Sequence, residues 1–312
     1  MTDTVLIAAE LAELLDPDPV PGAQVAWLAS GSPTPAGAYV GLVPLLSRHV
    51  GAAELERLPQ LRIVANCAVG VDNVDLAACA ARGVVVTNTP DVLTAATADL
   101  TVALILAVTR RLKEGARLVE QGHWTGWDPR QLLGFELAGA TLGLVGAGRI
   151  GRAVGCRALA FGMQLCYTAR EAKREFERET GAARLSLEDL LARSDVVTVH
   201  VPSNATTRGL IGRDALRRMK RSAYLINTAR GDIVDEAALI AALEDGRLAG
   251  VGLDVYQREP FVPDALVRHP AAVVLPHLGS ATVRTRRAMA GLAATNVRAV
   301  LAGHPAVTPV GA

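Results

Sequence analysis

Short apolar runs alternate with amphipathic stretches along nearly the whole chain, a pattern that predicts parallel sheets with crossover helices. In the first third, Val5–Ala9, Val25–Leu28, Tyr39–Leu45, Leu61–Asn66 and Val84–Thr87 read as short strands of one α/β unit. Residues between Pro17 and Pro35 are rich in Pro, Gly and Ser and predict a loop-heavy region. A long helix is expected over Thr94–Glu120, because Leu100, Leu104, Val108 and Leu112 recur at the spacing of one buried face. From Thr141 the pattern repeats, with strands at Leu142–Val145, Gln164–Thr168, Val196–Val201, Ala223–Asn227, Gly250–Asp254 and Ala272–Leu275. Helices are expected at Ile150–Phe161, Leu187–Ala192, Arg213–Met219 and Glu236–Asp245. The tail after Ser280 is helical again through Ala293, Asn296 and Leu301, and is too short to stand as a domain, so it must pack on an earlier one.

Composition narrows the function classes. With 312 residues the chain has room for two domains, and its formal net charge of +1 gives no electrostatic reason to expect a nucleic acid or membrane partner. The N-terminus lacks a basic start followed by an apolar run, and the longest apolar stretch, Leu100 to Val108, is too short to cross a bilayer. A cytoplasmic protein is expected. Cys67, Cys79, Cys156 and Cys166 show no C-x-x-C spacing and lie in apolar sequence, so they read as buried small hydrophobes, with neither a metal nor a disulfide expected.

The strongest local signal is Gly146-Ala-Gly148-Arg149-Ile150-Gly151, which follows a predicted strand and opens a predicted helix. Gly146 permits the tight turn, Gly148 admits close backbone approach to a pyrophosphate, and Gly151 lets helix and strand pack. The helix N-terminus then faces the phosphate charge, so a dinucleotide is the expected ligand. About 20 residues on, NAD-selective sites carry an Asp or Glu for the ribose hydroxyls. Here Thr168 or Ala169 stands at that position and Arg170 follows, with Lys173 and Arg174 close behind. Arg170 has the planar fork that pairs with a 2′-phosphate, so NADPH is the preferred cofactor expected and NADH a possible one. The alternative is that Arg170 stacks on adenine in an NAD enzyme.

Three strand ends hold polar residues that call for chemistry. Arg230, after Ile226-Asn-Thr-Ala, has the group to hold a carboxylate and polarise a carbonyl, although a surface loop arginine fits equally well. Asp254 and Glu259 follow the next strand, and His277 stands between a strand and Gly279-Ser280. With a carboxylate partner His277 could be an acid–base group; alone it would be structural. His200 reads as scaffold, and His49, His123, His269 and His304 as ordinary polar residues.

Taken together, the motifs resemble those of the D-isomer specific 2-hydroxyacid dehydrogenases, and within them the glyoxylate/hydroxypyruvate reductase type. The resemblance rests on Val69-Gly70-Val71-Asp72-Asn73, Thr89-Pro-Asp-Val-Leu-Thr94-Ala-Ala-Thr97-Ala-Asp99, Trp124-Thr-Gly-Trp127-x-Pro129, the glycine motif, Asn227-Thr-Ala-Arg-Gly-Asp, Gly252-Leu-Asp-Val, Glu259-Pro and Pro276-His-Leu-Gly-Ser-Ala-Thr282. It implies an α/β fold of two doubly wound parallel-sheet domains: a Rossmann cofactor domain inserted in a flavodoxin-like substrate domain, with an interdomain cleft. The substrate domain would comprise 1–92 and 280–312, and the cofactor domain 93–279, so a boundary drawn at Thr141 from the pattern alone is too late.

The resemblance also implies roles. Arg230 would bind the carboxylate and keto oxygen of a 2-oxo acid, His277 would be the general acid in reduction, and Glu259 would hold it protonated. Val69 and Gly70 would offer backbone N–H groups to the substrate carboxylate. Asp254 would accept from the nicotinamide amide, and Arg149, Ile150, Thr97, Pro202, Thr207, Thr228 and Gly279 would contact the rest of the dinucleotide. A homodimer through the cofactor domains is expected. Two features depart from the pattern: the N-terminal segment is shorter, and Gln131 stands where mammalian reductases of this type carry a tryptophan. Competing readings are 3-phosphoglycerate oxidation, which would call for extra cationic residues and often a regulatory extension, and a dinucleotide-sensing corepressor-like binding protein. Phosphite dehydrogenases of the family carry a lysine where Val69 stands here.

Overall fold

In the computed structural model, which describes residues 2–311, β1 (Thr4–Ala8), β2 (Gln24–Leu28), β3 (Tyr39–Val43), β4 (Ile63–Ala65) and β5 (Val85–Thr87) pair in parallel. Their order is β2-β1-β3-β4-β5, the flavodoxin-like arrangement. Val5, Leu6, Ile7, Leu42, Ile63 and Val64 are all buried, as successive residues must be in a parallel sheet covered on both faces. The first predicted strand ends one residue early, and Ala9–Leu14 turns into a 3-10 helix. Helices α1 (Ala52–Arg57) and α2 (Leu76–Ala81) join the later strands, and Asp75 caps α2 by accepting from the Ala78 N–H.

The chain then enters a second compact unit, Thr94–Gly279. The expected long helix is in fact two, α3 (Thr94–Thr109) and α4 (Leu112–Glu120). Arg111 between them adopts a left-handed backbone, φ 54°, and its guanidinium holds Glu114 in two bonds of 2.8 and 2.6 Å. Leu104 and Val108 are buried, but Leu112 is 55% exposed, so the apolar period outruns the helix that it suggested.

The second sheet holds β6 (Thr141–Val145), β7 (Gln164–Thr168), β8 (Ala183–Arg184), β9 (Val196–Val199), β10 (Tyr224–Asn227), β11 (Gly250–Leu253) and β12 (Ala272–Val274). All pairs are parallel, in the order β12-β11-β10-β9-β6-β7-β8. The strand order reverses between β6 and β9, which is where such sheets bind ligands beyond their carboxyl ends. The crossover helices are α5 (Arg149–Leu159), α6 (Arg174–Thr180), α7 (Leu187–Arg193), α8 (Arg213–Arg218), α9 (Glu236–Glu244) and α10 (Asp264–Arg268). Leu142 and Leu144 pack with α3 and α5, whereas a side chain at Gly143 would strike Leu190 of α7, so alternate residues serve opposite faces. Ser186 and Asp235 cap α7 and α9 through the N–H groups of Asp189 and Ala238.

From Ser280 the chain rejoins the first unit. There α11 (Val283–Leu301), capped by Thr282, packs on β3 and β4, and Pro309 bridges to Thr87. All four cysteines are free; Cys67, Cys79 and Cys166 are buried, but Cys156 is exposed on α5, contrary to its apolar sequence context. No helix among the described residues is long and apolar enough to cross a membrane, and no His/Cys/Asp/Glu group suited to a metal ion occurs among them.

Candidate active site

The glycine motif lies at the carboxyl end of β6. Gly146 sits at φ 102°, and a Cβ there would stand 2.7 Å from the His200 carbonyl oxygen. A Cβ on Gly151 would collide with the Gly146 carbonyl, which is why only glycine lets α5 approach β6 here. Gly148, the residue that caps α5, has open space where its side chain would be. The first turn of α5, through Arg149 and Ile150, offers amide donors at that opening. This cradle, with room at Gly148, fits a dinucleotide pyrophosphate.

At the end of β7 there is no carboxylate in the strand: Thr168 and Ala169 are half-buried and Arg170 is exposed. The Arg184 guanidinium holds this turn, donating to the Ala169 carbonyl at 3.0 Å and to that of Arg170 at 2.8 Å. The buried Tyr167 hydroxyl accepts from the Lys173 N–H at 2.7 Å and donates to Glu177 at 2.6 Å. Neither Tyr167 nor Arg184 stands out in the sequence. Further along, the Thr207 hydroxyl closes its own turn by donating to the Pro202 carbonyl at 2.6 Å. The Thr228 and Thr101 hydroxyls meet at 2.9 Å, and the Thr97 hydroxyl donates to the Gly279 carbonyl at 3.1 Å.

Of the three polar residues expected to act together, His277 and Glu259 are in direct contact, and the Arg230 charge reaches Glu259. His277 Nδ1 lies 2.7 Å from Glu259 Oε2, while Glu259 Oε1 accepts from the Tyr256 N–H at 3.1 Å. Burial pushes the Glu259 carboxyl upward, but the hydrogen bond and positive charge of His277, helped by Arg230, outweigh it and hold the group below its ordinary range. Arg230 follows β10 in extended conformation, and the Asn227 side chain fixes its turn by donating to the Arg230 carbonyl and accepting from the Ala229 N–H. A side chain at Gly231 would strike the Tyr256 backbone, so glycine is required beside the arginine.

Asp254 does more than its sequence position suggests. It is fully buried, and its two carboxylate oxygens accept from the N–H groups of Leu278 at 2.6 Å and Gly279 at 2.8 Å. Its own carbonyl accepts from the His277 N–H at 3.0 Å. Burial pushes its carboxyl above the usual range, against those amide bonds and the nearby His277 charge. The loop so pinned holds His277 at φ 56°, a left-handed backbone rare outside glycine. His200 is a neutral scaffold: burial pushes its pKa down to about 3, and its Nδ1 has no partner among the described residues.

In the other unit, Val69 and Gly70 follow β4. The Ala68 carbonyl accepts from the Thr89 N–H, the Val69 carbonyl from Asn88 Nδ2 at 2.8 Å, and the Gly70 carbonyl from Asn66 Nδ2 at 2.8 Å. Asn66 and Asn73 also bond reciprocally at 3.0 and 3.1 Å. The strand ends at Asn66 and Asn88 carry the only sequence hint of these contacts.

A family model described as "D-isomer specific 2-hydroxyacid dehydrogenase, NAD binding domain" matches residues 102–279. The glyoxylate reductase of Thermococcus kodakarensis is 47% identical over 84% of this chain and 80% of its own length, and that of Aeropyrum pernix agrees to the same extent. Among solved structures, a protein from Thermus thermophilus superposes with a TM-score of 0.89 at 44% identity, covering 99% of this chain and all of that one. An NADPH-dependent glyoxylate/hydroxypyruvate reductase from Sinorhizobium meliloti, solved with NADP and malonate, gives 0.89 at 35% identity, covering all of this chain and 97% of that one.

Proposed function

The chain belongs to the D-isomer specific 2-hydroxyacid dehydrogenase family of NAD(P)-dependent enzymes, and from that premise we propose that it reduces small 2-oxo acids, glyoxylate to glycolate and hydroxypyruvate to D-glycerate. The reading rests chiefly on the 2.7 Å contact of His277 with Glu259, whose carboxylate also feels the Arg230 charge.

Arg230 pairs with the substrate carboxylate and polarises the keto oxygen, and the N–H groups of Val69 and Gly70 hold the same carboxylate. Bound NAD(P)H supplies a hydride to the carbonyl carbon. With Nδ1 committed to Glu259, His277 delivers its proton from Nε2 to the developing alkoxide, so hydride and proton together convert C=O to CH–OH. Glu259 stabilises the imidazolium before transfer and fixes the ring. Residues 1–92 with 280–312 act as the substrate domain and 93–279 as the cofactor domain, a division one residue from that of the two compact units, which parts after Leu93.

In the cofactor domain, Gly146, Gly148, Arg149, Ile150 and Gly151 bind the pyrophosphate. Thr97, Pro202, Thr207, Thr228, Asp254 and Gly279 line the remainder. NADPH is preferred, through Arg170 and Lys173 at the 2′-phosphate. The enzyme dimerises through the cofactor domain, where Trp124, Trp127 and Leu133 are exposed. A panel of 2-oxo acids assayed with NADPH and with NADH tests the reading: glyoxylate and hydroxypyruvate should turn over with higher kcat/KM than phenylpyruvate. Failure to turn over any 2-oxo acid with either dinucleotide would overturn it.

A further inference from the structure

We propose that Asn88 is a positioning residue for the substrate carboxylate, and that Thr308, near the far end of the chain, braces it. The inference rests on the reading of Val69 and Gly70 as carboxylate donors. In a planar trans peptide the carbonyl and the following N–H point in opposite directions, so holding one aims the other. The Thr89 N–H takes the Ala68 carbonyl, and this aims the Val69 N–H away from the 88–89 segment. Asn88 Nδ2 takes the Val69 carbonyl at 2.8 Å and aims the Gly70 N–H the same way. Neither of these two N–H groups donates to a backbone carbonyl among the described residues. Two successive amides therefore have their carbonyls tied back to the 88–89 segment and their donors turned away from it, where a carboxylate can meet them.

Asn88 is itself fixed. Its carbonyl accepts from the Thr308 hydroxyl at 2.6 Å, and its N–H donates to the Thr308 carbonyl at 3.3 Å. Thr308 is anchored in turn by fully buried Asn296 of α11, which donates to its hydroxyl at 2.8 Å and accepts its N–H at 2.9 Å. A line of hydrogen bonds thus runs from α11 through Thr308 and Asn88 to the Val69–Gly70 peptide. Without the Asn88 amide that peptide keeps only the ties on either side of it, at the Ala68 and Gly70 carbonyls, and a carboxylate must complete its ordering on binding.

The experiment compares Asn88→Ala, Thr308→Val and Gly70→Pro, the last of which removes the donor itself. Readouts are KM for glyoxylate, the inhibition constant of oxalate (a dicarboxylate with no reducible carbonyl), kcat, and KM for NADPH. Asn88→Ala should raise the glyoxylate KM and the oxalate constant about tenfold, the scale of one lost hydrogen bond. Its kcat and KM for NADPH should stay within about twofold. Thr308→Val should shift the same two constants in the same direction by less, and it carries the test alone if Asn88→Ala does not fold. If Gly70→Pro weakens oxalate while the other two variants do not, the positioning role is wrong and the carboxylate reading stands. If Gly70→Pro also leaves oxalate binding unchanged, both fall. A matched rise in the glyoxylate and NADPH constants would signal general loosening and would also reject the proposal.

Discussion

Replacing Glu259 with Gln asks whether the carboxylate keeps His277 charged or merely in place. Gln retains an oxygen that can accept from Nδ1–H, so the ring orientation survives while the negative charge is lost. A charge-assisted hydrogen bond contributes about 1.5–3 kcal/mol against about 0.5–1.5 for a neutral one, a difference of about 1–2 kcal/mol. The two side chains are 25% and 30% exposed, so water screens part of that difference and the lower half of the range applies. Reduction at neutral pH should therefore slow about fivefold to tenfold.

The pH dependence carries the sharper test of Glu259→Gln. The hydrogen bond and positive charge of His277 hold the Glu259 carboxyl below its ordinary range against burial. Wild-type reduction should therefore keep its rate until the carboxylate is protonated in acid, and that acid limb should be absent in Glu259→Gln. Initial rates of reduction followed from neutral pH down into acid give the two profiles. A slower enzyme with unmoved profiles would show that Glu259 only orients the ring, and the charge argument would be refuted.

His277→Ala should lower kcat by about two to four orders of magnitude with little change in NADPH affinity, measured by steady-state kinetics and cofactor fluorescence; near-normal turnover would make His277 structural. Arg170→Ala should raise KM for NADPH about tenfold while NADH is barely affected, and an equal rise for both would assign the arginine to adenine stacking. Buried His200 stays neutral down to a pKa of about 3, whereas in the unfolded chain it takes up a proton below about pH 6.5. Its contribution to stability is therefore complete above pH 6.5 and is lost as pH falls, by about 1.4 kcal/mol per unit, until the folded ring titrates. Urea unfolding at pH 7 and pH 5.5 should show that slope, flattened in His200→Gln; equal slopes would contradict it.

The strands were legible because a parallel sheet buried on both faces needs continuous apolar residues, as at Val5–Ile7 and Ile63–Ala65. The break between α3 and α4 was not, because the leucine period runs through Arg111 and only its backbone angle and the Glu114 pair end the helix. Helices such as α1, α2 and α10, of five or six residues, span too few turns to display a period. At the site, Arg230, Glu259 and His277 follow strands and have side chains suited to chemistry, but only the resemblance, not their positions, separated them from a loop arginine and a structural histidine. Asn66, Asn88 and Arg184 act by gripping backbone carbonyls, a role that any polar residue at a turn could fill and that leaves no spacing to recognise.

The left-handed backbone at His277 sets stability against activity at a single position. A non-glycine residue held there costs about 1–2 kcal/mol, and the Asp254 bonds to Leu278 and Gly279 keep the loop from relaxing. Glycine at 277 would adopt the same angles without that cost. Glycine at 277 would also delete the 2.7 Å bond to Glu259, so the relief of backbone strain is offset by a lost charge-assisted hydrogen bond while the proposed proton donor disappears. Stabilising this enzyme without disturbing that loop means searching away from residues 254–279, where backbone strain and side-chain bonding are already balanced against each other.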